Sequence, residues 1–270
     1  MRRFLWTIFP LALALPSVGA AQRGAMPTLV FTIFGGYYTG HPLWTVDKQP
    51  LCVQATGACT PERDTIALSR SVSGGLSAGL SATYYHSPHL GVQFQLALIS
   101  LALEGGCDSV FMNPDAEEKN LQACQYFSST SSPMSGISGL IGVTFRAASR
   151  GAISPYVRAS VGFFSYARST IESQGVFFFS NGNGAVKSFI IDDDPKRGSF
   201  SASAGLGFTL QLSPGYLFRL EVSDVVATME RAAGPANAAG QASTDTRTYH
   251  HFGLTMGVGV VLERQRGRRY

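Results

Sequence analysis

The chain has 270 residues; only 14% are charged, 30 are glycine, and 21 basic against 17 acidic side chains leave a net charge of +4. A soluble chain of this size usually carries nearer a quarter charged residues. Arg2 and Arg3 at one end and Arg264, Arg266, Arg268 and Arg269 at the other outweigh that surplus, so the body is near neutral and nothing resembles a nucleic-acid-binding surface.

Residues 1–20 have the three parts of a secretory signal: the basic Arg2-Arg3, an apolar run from Phe4 to Leu15, and the small-residue cleavage site Val18-Gly19-Ala20. The run is short for a span of ~20 residues, so export and removal are expected rather than anchoring. No cysteine follows the cleavage site, and no lipoprotein anchor is indicated. No later stretch reaches the ~18 unbroken apolar residues of a helical span.

The rest repeats one unit. In Pro155–Tyr166, Val157, Ala159, Val161 and Phe163 alternate with Tyr156, Arg158, Ser160 and Gly162. Side chains alternate faces along a strand, so one face is apolar and the other polar or small. The segment matches the ~9–11 residues with which a tilted strand crosses a bilayer. Eight such segments are predicted: Thr28–Tyr38, Ser71–Tyr85, Leu90–Leu103, Gly136–Ala147, Pro155–Tyr166, Ser199–Leu212, Tyr216–Ala227 and Tyr249–Glu263.

Their connections alternate. Those after the second, fourth and sixth segments are brief (His86–His89, Ala148–Ser154, Ser213–Gly215), whereas the others run to about twenty to thirty residues, as short periplasmic turns and long external loops do. The expected fold is therefore all-β: an eight-stranded antiparallel up-and-down transmembrane β-barrel over residues 21–263, followed by a basic tail at 264–270. A soluble lipocalin-like barrel is the competing reading. With strand directions set by the loops, Tyr37, Phe163, Phe200 and Phe252 fall outward near the external ends. Tyr84, Phe94, Phe145 and Tyr216 fall outward near the periplasmic ends, bracketing an aliphatic band of Leu76, Leu80, Leu96, Ile141, Val143, Leu206, Leu220, Val258 and Val260.

With PYVRASVGFF, LFRLEVSD and the closing HFGLTMGVGVVLE, the sequence resembles the small outer-membrane barrels of the OmpA/OmpX type. The resemblance covers the expected mature chain by pattern rather than by a single motif. It implies a bacterial outer-membrane location, insertion by the barrel-assembly machinery, contact with outer-membrane lipid and lipopolysaccharide, and a monomer. OmpA adds a soluble peptidoglycan-binding domain after its barrel; here a short tail follows the eighth segment, and that role is not expected. The family's last strand often ends on an aromatic residue; here alternation stops at Leu262 and RQRGRRY follows.

Cys52 and Cys59 lie in the first long loop, Cys107 and Cys124 in the second. An oxidising compartment favours disulfides, and four cysteines allow three pairings. Pairing within each loop is the simplest, and neither spacing is a zinc or redox signature.

Alternation also predicts a lumen cluster. Arg146, Arg158, Arg219, Glu221 and Glu263 face inward near the periplasmic end, together with Gln93, Gln95 and Gln211. A barrel of eight strands is just wide enough for its side chains to fill, and buried charges must be paired. A floor of Arg–Glu pairs is expected there, beneath a more open vestibule of Ser71, Ser73, Ser201, Ser203, Gly253 and Thr255.

Other candidates carry the bland reading. His86 and His89 lie in a turn and His250 and His251 open the last segment, where solvation outweighs metal binding. Asp192-Asp193-Asp194 could attract calcium or bridge lipopolysaccharide through divalent ions, but is read as a solvated loop. Gly205-x-Gly207 lacks the helix of a dinucleotide site and is barrel wall. The lipid A deacylases' His-x-Ser pair is missing near His250, and His86-Ser87 lies at the opposite end, so no nucleophile–base pair and no enzyme is expected. No cofactor or metal is expected. The functional expectation is a structural or surface-interaction barrel acting through its external loops. A narrow OmpW-like channel or binding barrel for small, hydrophobic molecules is the alternative, motivated by a lumen face of Ser, Gly and Thr that fills space poorly.

Overall fold

The structure, a computed structural model, describes residues 28–50, 65–110, 118–147, 152–213, 215–237 and 239–263. The predicted signal, Cys52 with Cys59, and the basic tail lie outside the described residues. The described elements are β1 (Thr28–Tyr38), β2 (His41–Pro50), β3 (Thr65–Ser73), β4 (Gly75–Tyr85), β5 (Leu90–Val110), α1 (Lys119–Ser129), β6 (Ser131–Arg146), β7 (Ile153–Tyr166), β8 (Ser173–Phe178), β9 (Gly184–Ile190), β10 (Gly198–Ser213), β11 (Tyr216–Ala232) and β12 (Thr244–Glu263).

Eight strands close a ring in the order β1, β4, β5, β6, β7, β10, β11, β12, every neighbour antiparallel. Stepping across cross-strand partners from Thr28 leads through Tyr85, Gly91, Thr144, Arg158, Gly205, Ser223 and Gly253. The path re-enters β1 at Tyr38, ten residues further along. That stagger tilts the strands by roughly 40° from the barrel axis.

Alternation sets the two faces as expected. Ile33, Leu76, Leu80, Leu206 and Val258 stand outward and exposed, while Thr32, Ser77, Ser81 and Ser203 stand inward and buried. Tyr37, Phe163, Phe200 and Phe252 form the outward aromatic ring at one end, and Tyr84, Phe145 and Tyr216 the ring at the other. Phe94, expected in the second ring, pairs with Ile141 and belongs to the aliphatic band instead. An apolar belt encircling the wall far exceeds the few hundred Å² that a water-soluble surface presents. Flanked by aromatic rings, it is the exterior of a membrane-spanning barrel.

Three expectations are corrected. First, the predicted segment Ser71–Tyr85 is two strands. Ser73 pairs with Ala102 and Ser77 with Ile99, so four steps face three on β5, which is a bulge. A Cβ on Gly75 would lie 1.5 Å from the Ser100 carbonyl oxygen, and one on Gly74 2.0 Å from the Tyr37 hydroxyl. Only glycine fits this crossing, and it places Ser71 and Ser73 above the barrel, in β3.

Second, the segments predicted as long loops carry regular structure. The β2–β3 hairpin, α1, the β8–β9 hairpin and the extended ends of β5, β11 and β12 build a headpiece over the end opposite the short turns. Its core holds the most deeply buried apolar side chains of the described residues: Ile66, Leu68, Leu103, Met134, Ile190 and Met229. Long-range polar contacts fix it. Trp44 donates its indole N–H to the Thr170 carbonyl at 2.8 Å and Tyr249 its hydroxyl to the Leu43 carbonyl at 2.6 Å. Gln49 accepts from the Ala236 N–H at 2.6 Å and donates to the Ala236 carbonyl at 3.2 Å.

Third, the open vestibule is absent. Inward-facing Ser201 and Ser203 are buried, and the headpiece core sits over the barrel mouth. Nor do the inward glycines leave space. Cβ atoms on Gly253, Gly136 and Gly79 would meet the rings of Tyr38, Phe164 and Phe34 at 2.4, 2.7 and 2.5 Å. Each aromatic ring fills the room its glycine neighbour vacates, a device that pins register in curved sheets.

Cys107 and Cys124 form a disulfide joining the end of β5 to α1 across a sequence separation of 17. Closing a loop of that size contributes about 3 kcal/mol by restricting the unfolded segment. Because α1 lies in the headpiece, changing both cysteines to serine will expose residues 119–129 to limited proteolysis. The heat-modifiable gel mobility of the barrel will stay unchanged. Loss of that mobility shift would show that the bond supports the barrel itself.

Candidate functional site

The described polar side chains converge inside the barrel. β7 contributes Tyr156, Arg158 and Ser160, β11 contributes Arg219 and Glu221, and β5 contributes Gln93 and Gln95, all from the inward face. Glu221 Oε1 accepts from Arg158 at 2.6 Å, with the two side chains 1% and 3% exposed. Its Oε2 accepts from the Tyr156 hydroxyl at 2.8 Å and from Arg219. Arg219 Nε donates to the Tyr156 oxygen at 2.6 Å, and its guanidinium carbon lies 4.7 Å from the Tyr156 ring centroid.

The glutamines complete the circuit. Arg158 donates to Gln95 Oε1 at 2.7 Å, Gln95 accepts from Gln93 at 3.3 Å, and Gln93 Oε1 accepts from Thr144 at 3.0 Å and from Arg219 at 3.4 Å. Two guanidiniums thus share one carboxylate, with neutral acceptors taking further donors, though Arg158 Nε is buried without a partner.

Position in the wall explains the geometry. β10 runs between β7 and β11, and the partners of Arg158 and Tyr156 on it are Gly205 and Gly207. Glu221 faces Gly207 from the other side. With no side chain there, Arg158 and Tyr156 reach across an entire strand to Glu221. A Cβ on Gly205 would lie 3.1 Å from the Glu221 carboxyl, and one on Gly207 2.8 Å from the Tyr156 hydroxyl. Both glycines read as plain wall in the sequence; they are the gap that the ion pair crosses. The cavity beside the network, lined by Phe34, Ser81, Gln95, Arg219, Glu221, Thr255, Met256 and Gly257, measures about 10 Å³. That is room for a single water at most.

Arg158, Arg219 and Glu221 therefore meet, as the alternation implies, whereas Arg146 does not join them. It ends β6 at the rim, donates Nε to the Pro88 carbonyl at 2.6 Å and lies 3.9 Å from the Tyr85 ring centroid. A strand end has a turn carbonyl and a ring within reach, so it needs no carboxylate. The side chain of Glu263 lies outside the described residues. Gln211 is exposed near the β10–β11 turn and takes no part.

The remaining candidates fall elsewhere. Asp192 accepts from Ser169, and Asp193 from Gln241 at 3.2 Å; among the described residues no group of three or more His, Cys, Asp or Glu side chains could hold a metal ion. His89 Nδ1 lies 2.9 Å from the Arg146 carbonyl oxygen. His250 pairs with Asp224 at 2.7 Å on the outward face, close to the aromatic ring of Phe252. The sequence reading missed this pair, whose members stand 26 positions apart.

It also missed His41, whose ring centroid lies 4.4 Å from that of His251 and 4.5 Å from that of Tyr249 at the floor of the headpiece. Neither ring nitrogen of His41 has a hydrogen-bond partner. Burial, reinforced by His251, pushes its pKa down to about 4. The folded state thus holds His41 neutral where an unfolded chain would protonate it near 6.5. Its contribution to stability is complete above pH 6.5 and is lost as the pH falls toward 4. Amide-exchange protection factors around β2, referred to the intrinsic rate at each pH, will fall between pH 7.5 and pH 4.5, and His41→Phe will flatten that dependence. An unchanged profile in the variant would assign the loosening to other groups.

No protein-family model and no curated protein matches the sequence. Among solved structures, OprG from Pseudomonas aeruginosa is similar at 14% identity and a TM-score of 0.45, over 87% of this chain and 96% of that one. The outer-membrane protein AlkL, determined in lipid bilayers, is similar at 12% identity and a TM-score of 0.45, over 92% and 97%. Neisserial surface protein A is similar at 12% identity and a TM-score of 0.40, over 86% and 96%. By its own register and apolar belt, the chain is a membrane-spanning β-barrel. The similarity is one of overall form, and the functional reading rests on this chain's own residues.

Proposed function

We propose that the protein is a non-conducting barrel of the bacterial outer membrane that displays its folded headpiece as an interaction surface, and that it is not an enzyme. One observation supports this reading: the interior is filled at two levels. Arg158, Glu221, Arg219 and Tyr156 form a buried network across the lower lumen, and the headpiece core covers the mouth. A passage for solutes or hydrophobic molecules would need one of these to open. The short turns then face the periplasm and the headpiece the exterior, as in barrels of this class.

Two measurements test it. The purified protein in planar bilayers will give no conductance steps, and regular steps in the wild type would favour the narrow-channel alternative. In intact cells, Ser180→Cys, in the exposed tip between β8 and β9, will react with a membrane-impermeant maleimide. Labelling only after lysis would place the headpiece on the wrong side.

A further inference from the structure

The headpiece carries a second site that the lumen network does not involve. Between α1, the amino-terminal end of β6 and the segments 167–174 and 195–197 lies a pocket of about 310 Å³. Arg70, Arg168 and Arg197 line it, with Glu172 as the one carboxylate of the lining and Tyr126 and Phe127 as its aromatic wall. We propose that this pocket binds a monosaccharide-sized phosphate ester, with Arg70, Arg168 and Arg197 holding the phosphate.

Arg70 carries the argument. The residue is only 9% exposed, yet among the described residues its guanidinium makes no hydrogen bond and no ion pair. Its guanidinium carbon sits 5.4 Å from the Phe127 ring centroid, and its Nε is buried without a partner. A buried cation is normally paired, because burial strips it of the water that would otherwise solvate its charge. Burial pushes its pKa down to about 10, with Glu172 opposing the fall and Arg168 adding to it, so it stays charged at neutral pH. A charge held in place with its donors unspent is the chemistry of a binding site awaiting an oxyanion.

The rest of the lining sets the ligand class. Arg168 and Arg197 are exposed, with no hydrogen bond from either guanidinium among the described residues, so both can swing onto the same anion. Three guanidiniums against Glu172 leave a surplus that suits the double charge of a phosphate monoester. Asp192, behind the wall, is engaged by Ser169. Glu172, which accepts from Gln174, offers an acceptor for sugar hydroxyls, and the exposed ring of Tyr126 offers an apolar face for a sugar's C–H groups. The volume is at the small end of ligand pockets and fits a monosaccharide rather than a polymer.

Titration calorimetry on the full chain in detergent micelles tests the pocket whichever way the headpiece faces in cells. Glucose 6-phosphate will bind saturably, glucose will not, and inorganic phosphate will bind about tenfold more weakly because it lacks the sugar contacts. Arg70→Met will weaken glucose 6-phosphate binding by more than about tenfold. Because Arg70 packs on Phe127, the exposed double variant Arg168→Gln/Arg197→Gln serves as the second arm. It will weaken binding by about tenfold while leaving thermal unfolding unchanged. Absence of saturable glucose 6-phosphate binding, or unaltered binding in the double variant, would overturn the proposal. Purified lipopolysaccharide, intact and phosphatase-treated, identifies the source. Competition by the intact form alone places the phosphate in the outer leaflet, and no competition by either form assigns the site to soluble sugar phosphates.

Discussion

Glu221→Ala will destabilise the barrel by about 3–5 kcal/mol, because it strips two buried guanidiniums of the one carboxylate they share. The penalty falls unequally. Arg219 is 12% exposed and can recruit water from the turn end, whereas Arg158 is 1% exposed and retains only Gln95, Ser160 and Ser203. Tyr156 also loses the acceptor for its hydroxyl. Glu221→Gln keeps an acceptor in place and removes only the charge, so it will cost less. Adding Arg158→Met to Glu221→Ala removes the stranded cation and will recover most of the loss, since a buried pair replaced by apolar groups is often near neutral. Denaturant unfolding of these four proteins in one lipid, with Arg158→Met alone to close the double-mutant cycle, measures the differences. A Glu221→Ala protein as stable as the wild type would show that the network merely fills space. The same variant in planar bilayers reports whether the network also seals the lumen.

How much of this was legible in the sequence depended on the range of the signal. Facing is local: a period of two sorts Val157, Ala159 and Val161 from Tyr156, Arg158 and Ser160, because each residue's face follows from its neighbour's. The same rule put Arg158, Arg219 and Glu221 in one lumen, and short turns set them near one end. What alternation cannot carry is the stagger of the strands. The ten-residue offset around the ring decides that Arg158 meets Glu221 across Gly205 and Gly207, and that Phe94 stands level with Ile141. The headpiece was hidden for a different reason. In β12 the stretch Thr244–Thr248 has no apolar alternation, and in β5 Glu104-Gly105-Gly106 interrupts it, so both read as loop although the strands continue. The helix had a readable trace: Asn120, Ala123, Cys124 and Phe127 are its buried residues and follow a helical spacing. Arg70 had none, since its burial depends on Phe127 arriving from a segment far away in the chain.

Leu206→Arg will cost about 2–4 kcal/mol, the figure for a charge on the lipid face at mid-bilayer, and Val161→Arg about 1 kcal/mol or less, the figure near the interface. Both side chains point outward, at 65% and 48% exposure, but they sit at different depths. Leu206 lies midway along β10, six residues from Phe200 in the headpiece-side aromatic ring and six from Leu212 at the turn end. Val161 stands two residues from Phe163, which belongs to the ring itself, so an arginine there can extend its guanidinium to the headgroups. On the inward face, Ser160→Ala removes one weak acceptor from Arg158 at 3.3 Å and will cost about 1 kcal/mol or less. Gly205, also inward, is less tolerant than Ser160. Its substituent would press on the Glu221 carboxyl, which three partners hold in place, so Gly205→Ser will cost more than Ser160→Ala. Unfolding free energies of the four variants in one lipid test this order. Equal costs for Leu206→Arg and Val161→Arg would refute the depth assignment, and a harmless Leu206→Arg would refute the membrane-facing wall itself.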